Sequence, residues 1–221
     1  MEKKVDLKKM KPKERAGYIW EYYKIPILGG ILGVIILVAL IWHFATLKNT
    51  LANVMMVNAT VNETGSEKQT NLFSGFMKKN GYDTNKNEIL VNDSLFADPT
   101  ATDSTSLYSF QSMQTIIMAG GVDVFLSDEK LYKTLNSNQE FKDLSVVLDK
   151  ETLEKYKDTI IMAKDKDTGK EYPSGIVIKG NSWVKDKGLY SGDVVIGVSI
   201  ASKKDKICRE IIDNILGEDV K

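Results

Sequence analysis

The chain has 221 residues, 43% of them hydrophobic, with 30 basic and 30 acidic side chains, one histidine and one cysteine. With His43 and Cys208 each alone in type, histidine-based triads, cysteine–histidine dyads, zinc sites made from these ligands and an intramolecular disulfide are excluded. The zero net charge hides a split: residues 1–24 carry eight Lys or Arg against four acids, so the rest is net −4 and offers nucleic acid no basic surface.

Residues 25–45, IPILGGILGVIILVALIWHFA, contain no formally charged side chain. A helix of that length spans roughly 30 Å, the hydrocarbon thickness of a bilayer. Tyr18, Trp20, Tyr22 and Tyr23 precede the run and Trp42 lies near its end, at headgroup depths that amphipathic aromatics prefer. The basic arm predicts a cytoplasmic N-terminus and an exported C-terminal part. A cleaved secretory signal fits less well, because the apolar run is long and bulky His43 spoils a small-x-small site before residue 46. Three segments result: a basic arm over 1–24, a signal-anchor over 25–46 and an extracytoplasmic domain over 47–221. Gly29-x-x-x-Gly33 would let two spans approach closely, though the spacing is common in apolar stretches.

Beyond the span, Asn53–Thr60 (NVMMVNAT) reads as a strand buried on both faces. Residues 66–80 read as a helix, opened by Ser66 with Gln69 and closed by Asn80-Gly81. Glu88–Val91 is a second strand. Ser104–Ala119 is helical, with Leu107, Phe110, Met113 and Ile117 on the inner face and Gly120-Gly121 as its stop. Val122–Leu126 is a third strand, followed by a short helix from Asp128 that carries Leu131 and Leu135. Phe141–Leu148 is ambiguous, and Lys150–Lys157 is a short helix. Thr159–Ala163 and Ser174–Ile178 flank a hairpin-type connection. Val194–Ser199 is the last strand, and Ser202 with Asp205 opens a final helix burying Ile207, Ile211 and Ile215.

This alternation, with continuous apolar strands, predicts an α/β fold: a three-layer, mostly parallel sheet behind one transmembrane helix. Three strings, MAGGVDVFLSDEKLYKTL (118–135), KDTGKEYPSGIVI (166–178) and VVIGVSIASKKDKICREIIDNIL (194–216), resemble extracellular solute-binding proteins of the type II periplasmic-binding fold. With Trp20–Lys24 ahead of the span, the chain is similar to single-pass membrane proteins of Gram-positive bacteria that carry such a domain. The resemblance implies one lobe of a solute-binding protein. A second lobe must be reduced or absent, because residues 141–187 number fewer than 50.

In such sheets ligands bind beyond the carboxyl ends of the strands. Asn58, Thr60, Ser127 and Asp128 would surround one crevice if the first and third strands are neighbours, and the last strand would add Ser199 and Ser202. The free N–H groups near Ser104 would favour an anion. The same residues also suit helix caps and loop polars. Asp165-x-Asp167-Thr168-Gly169 fits a tight turn better than a calcium loop, whose distant Glu is replaced by an apolar residue. No metal, cofactor or catalytic residue is expected. The expected partners are the lipid bilayer and either a small-molecule ligand or a membrane transport or envelope complex. The two functional expectations are a non-catalytic domain binding a ligand or protein and a structural subunit of a cell-envelope assembly.

Overall fold

The computed structural model describes residues 11–59, 72–180, 183–184 and 188–217, with Glu14 described by its backbone alone. The chain divides into two compact units, Met1–Leu47 and Lys48–Lys221.

In the first unit a single helix, α1 (Pro12–Thr46), starts with proline at its first position, where the missing N–H is no loss. It continues through Pro26. Its apolar side chains from Ile31 to Phe44 are exposed, and its length and composition suffice to cross a membrane.

The second unit is an α/β domain with six strands in one sheet among the described residues. The elements are β1 (Asn49–Met56), α2 (Ser74–Lys79), β2 (Asn87–Asn92), α3 (Ser104–Met118), β3 (Val124–Ser127) and α4 (Glu129–Ser137). They continue with α5 (Lys150–Lys155), β4 (Ile160–Lys164), β5 (Glu171–Ile178), β6 (Val194–Val198) and α6 (Asp205–Leu216). The expected helix opening at Ser66 lies outside the described residues. Phe141–Leu148 contains a 3-10 turn at Leu144–Val146, and Phe141 forms an isolated bridge to Ser199.

The strands run in the order β2-β1-β3-β6-β5-β4. β1 is parallel to β2 and β3, whereas β3–β6, β6–β5 and β5–β4 are antiparallel. The sheet is therefore mixed and not mostly parallel. The connections explain this. The stretches after β1 and β2 carry α2 and α3, and a parallel return needs such a crossover. β4 and β5 are joined by a tight turn at Asp165–Lys170, which permits only an antiparallel pair.

Alternate strand residues point to opposite faces, and both faces are covered, which makes three layers. Val54, Met56, Val124, Leu126, Ile196 and Val198 pack with Phe76 and Met77 of α2 and with Ile207, Ile211 and Ile215 of α6. Met55, Val57, Phe125 and Val195 pack with Met113 and Ile117 of α3 and with Leu131, Tyr132 and Leu135 of α4. On α3 the inner face is narrower than the 3.6-residue pattern suggests. Met113 and Ile117 are fully buried, Phe110 is half-buried, and Leu107 is exposed. Leu107 lies about 100° round the helix from the line midway between Met113 and Ile117, too far to reach the sheet.

Tyr132 lies flat over the sheet where Gly175 of β5 pairs with Gly197 of β6. A Cβ on Gly175 would stand 2.7 Å from the ring, and one on Gly197 would collide with the hydroxyl. The Tyr132 ring stacks on Phe141 at 4.0 Å, and its hydroxyl donates to the Ser174 carbonyl at 2.7 Å.

Candidate functional site

Because β1 and β3 are parallel neighbours, their carboxyl ends bring Asn58 and Asp128 together. Asn58 adopts a left-handed backbone, φ 60°, a conformation that asparagine tolerates better than most residues. Its Nδ2 donates to Asp128 Oδ2 at 2.7 Å and to the Ala97 carbonyl at 2.9 Å, while its Oδ1 accepts from the Ala97 N–H at 2.9 Å. Asp128 Oδ1 caps α4 by accepting from the Leu131 N–H at 3.0 Å. Ser127 is buried, and its hydroxyl donates to the Asp128 carbonyl at 3.0 Å. Tyr190 bonds to the ends of the same two strands: its hydroxyl lies 3.0 Å from the Val57 carbonyl and 3.2 Å from that of Leu126. Burial pushes that phenol upward from its ordinary pKa. Thr60 lies outside the described residues.

The loop over this crevice is pinned in turn. Asp98 accepts from the Thr100 N–H at 2.8 Å and from Lys130 Nζ at 2.9 Å. The Thr100 N–H chiefly, with Lys130 helping, holds the Asp98 carboxyl down at about 2. A hollow of about 300 Å³ remains, lined by Asn58 and Asp128 themselves together with Phe96, Asp98, Ser106 and Lys130. Ser104 is the exposed first residue of α3, but the helix N-terminus is already served by Asp103, whose carboxylate accepts from the Ser106 N–H at 2.9 Å. That bond lowers the Asp103 pKa. An anion would meet a carboxylate there.

Ser199 and Ser202 lie at the opposite end of the sheet, because β6 runs antiparallel to β3 and its last residues face Val124. They cluster around Asp123, a buried carboxylate that the sequence reading passed over. Its one visible signal was a charge inside an apolar strand, Val122-Asp123-Val124. Asp123 accepts from the Asn53 N–H at 2.8 Å, the Ser202 hydroxyl at 2.7 Å and Lys204 Nζ at 3.2 Å. The cluster ties β1, β3 and the start of α6 together. Cys208 Sγ lies 3.6 Å from the Ser202 hydroxyl, and burial is the main cause that pushes the thiol up to about 12. A thiol so placed is a core residue rather than a nucleophile.

A larger cavity, about 880 Å³, lies along α4 and the edge strand β4 and is lined by Lys133, Asp158, Met162, Lys164 and Lys179 among others. The strand edge facing it is protected. Asn136 Nδ2 donates to the Met162 carbonyl at 3.0 Å, Gln139 reaches the Lys164 carbonyl, and the register is broken between Ile161 and Met162. Covered carbonyls, a bulge and edge lysines discourage an added strand. Asp165 Oδ1 accepts from the N–H groups of Asp167 and Thr168 at 3.0 and 2.7 Å, which lowers its pKa and makes the stretch a turn around Gly169. Among the described residues no three His, Cys, Asp or Glu side chains gather as a metal ion would require.

Residues 141–180 build two 3-10 turns, α5, β4 and β5, all within the one domain. A second lobe that could close on a solute is absent among the described residues. No protein family, curated protein or solved structure matches this chain.

Proposed function

We propose that this chain is a membrane-anchored, extracytoplasmic docking protein that catalyses nothing and contacts another polypeptide rather than a small solute. The observation that carries this reading is the internal hydrogen bonding of the strand-end crevice. Asn58 and Asp128 satisfy each other, the 93–99 loop and α4, leaving a solute few free polar groups to hold it. Among the described residues the one lobe also has nothing to close upon a ligand, which the resemblance to solute-binding proteins would otherwise require. The net +4 arm over residues 1–24, ahead of the uncharged run, supports a cytoplasmic N-terminus and an exported domain. An exported domain with a single cysteine suits the surface of a Gram-positive bacterium, where no disulfide-forming compartment is crossed.

Anything bound only by the native state raises its melting temperature. Melting the full chain in detergent against a library of amino acids, sugars, nucleotides and short peptides is expected to give no saturable rise. A saturable rise with any small solute, lost on Asp128→Asn, would overturn the docking reading.

A further inference from the structure

We infer that Glu140 is a pH-sensitive latch: with a proton on its carboxyl it keeps the carboxyl end of α3 seated on the turn after β6, and without the proton that end loosens. The inference stands apart from the docking reading. Glu140 follows α4 through Asn138 and Gln139, the latter with a left-handed backbone, φ 64°. Its main chain is fixed to the turn: the carbonyl accepts from the Ile200 N–H at 2.9 Å, and Phe141 bridges to Ser199. Its side chain reaches α3, where Gln114 Nε2 donates to Oε1 at 3.0 Å. The stop of α3 meets the same turn, since a Cβ on Gly120 would stand 4.0 Å from Ala201 Cβ. One carboxyl thus ties the helix to the exits of α4 and β6.

That carboxyl has little to balance a charge. Glu140 is 7% exposed, and among the described residues its Oε2 has no hydrogen-bond partner. α3, STSLYSFQSMQTIIM, has no charged side chain, and neither has Ser199-Ile200-Ala201. Lys142, two residues on, gives its Nζ to Asp205 and the Ser202 carbonyl; Lys204 gives its own to Asp123, and Lys203 is exposed. Burial pushes the Glu140 carboxyl above its ordinary range, the Gln114 and Asn138 amides oppose it by less, and no charged group is among the causes. A carboxylate so placed either holds a proton or must be given water. Asn138, Gly120 and Ile200 around it are exposed, so parting the end of α3 from the turn admits water while Met113 and Ile117 still hold the helix to the sheet.

The direction of the effect follows from linkage. Below the ordinary glutamate value Glu140 is protonated in both the folded and the unfolded chain, and the junction is undisturbed. As pH rises from that value to the raised folded one, the unfolded chain releases the proton while the folded chain keeps it, so stability falls. Above the folded value the loss is complete, and the ionised side chain has Gln114 alone to hold it against α3.

The experiment compares the full chain in detergent with Glu140→Gln from about pH 4 to about pH 7. Glutamine stays neutral throughout, so the titrations of Asp98, Asp103 and Asp165 cancel in the comparison. Across that range the melting temperature of the variant should gain about 2 °C or more on that of the parent. Hydrogen-exchange protection of amides 114–119 should be about tenfold lower in the parent than in the variant at the upper pH and equal at the lower. A melting gap that stays constant or narrows as pH rises overturns the inference. So does a widening gap with equal protection in α3, which would leave Glu140 a buried acid and no latch. Should Glu140→Gln fail to fold, the carbon-13 carboxyl resonance of Glu140 in the parent chain decides. A midpoint above the ordinary glutamate value, with α3 protection falling through the same midpoint, supports the latch, and a midpoint at or below that value overturns it.

Discussion

Single side chains decide how closely the second core layer approaches the sheet. Tyr132 rests where two glycines pair across β5 and β6, so the ring occupies space that any Cβ would claim. Gly197→Ala should therefore destabilise the domain by about 1–3 kcal/mol through overpacking, read as a fall in melting temperature. Tyr132→Phe removes the atom nearest that Cβ but leaves the Ser174 carbonyl without its donor, which should cost about 1–3 kcal/mol by itself. The double variant should be less destabilised than the sum of the two singles, because they share one clash. Strict additivity would mean that the ring moves aside freely. Little of this was legible in the sequence, since Gly175 and Gly197 come within reach only through the β5–β6 register. The Asp128 cap was legible, because Ser127-Asp128-Glu129 is a local helix opening. Asn58 was read near the end of a strand reaching Thr60, whereas β1 stops at Met56, and its left-handed backbone and its bonds to Ala97 and Asp128 depend on residues 39 and 70 positions away.

At the scale of elements, local pattern located the segments, whereas direction and burial depended on neighbours. The 3.6-residue period found α3, but it treated Leu107, Phe110, Met113 and Ile117 as one buried stripe. Met113→Ala should cost about 2–5 kcal/mol, as expected for a fully buried side chain. Leu107→Ala should stay within about 0.5 kcal/mol, as for an exposed position. Thermal melts of the two variants check the phase of the helix, and equal losses would contradict it. Strand direction was misread for a related reason. Continuous apolar runs show burial on both faces, and that holds equally for parallel and antiparallel strands covered by helices. The hairpin between β4 and β5 was visible, but nothing local indicated that its second strand would join the main sheet beside β6. Ser199 consequently lies at the far end from Asp128.

For the whole molecule, the charge split and the single apolar helix lead to one test of sidedness. External protease on intact cells should digest residues 48–221 and leave the arm with the span. A protected domain would reverse the orientation, and a soluble product beginning near residue 46 would show that the span is cleaved. The sheet itself consists of two contiguous halves, β1–β3 and β4–β6, that meet at the β3–β6 seam. This arrangement has a consequence in time. β1 is made first and lies inside the finished sheet, yet roughly 70 residues separate its end from the start of β3, its inner neighbour. At about 5–20 residues per second, the inner edge of an apolar strand stays without its partner for roughly 3–14 s of synthesis. During that interval Val54, Met55 and Met56 offer an apolar strand edge to other chains, an aggregation hazard that ends only when β3 arrives.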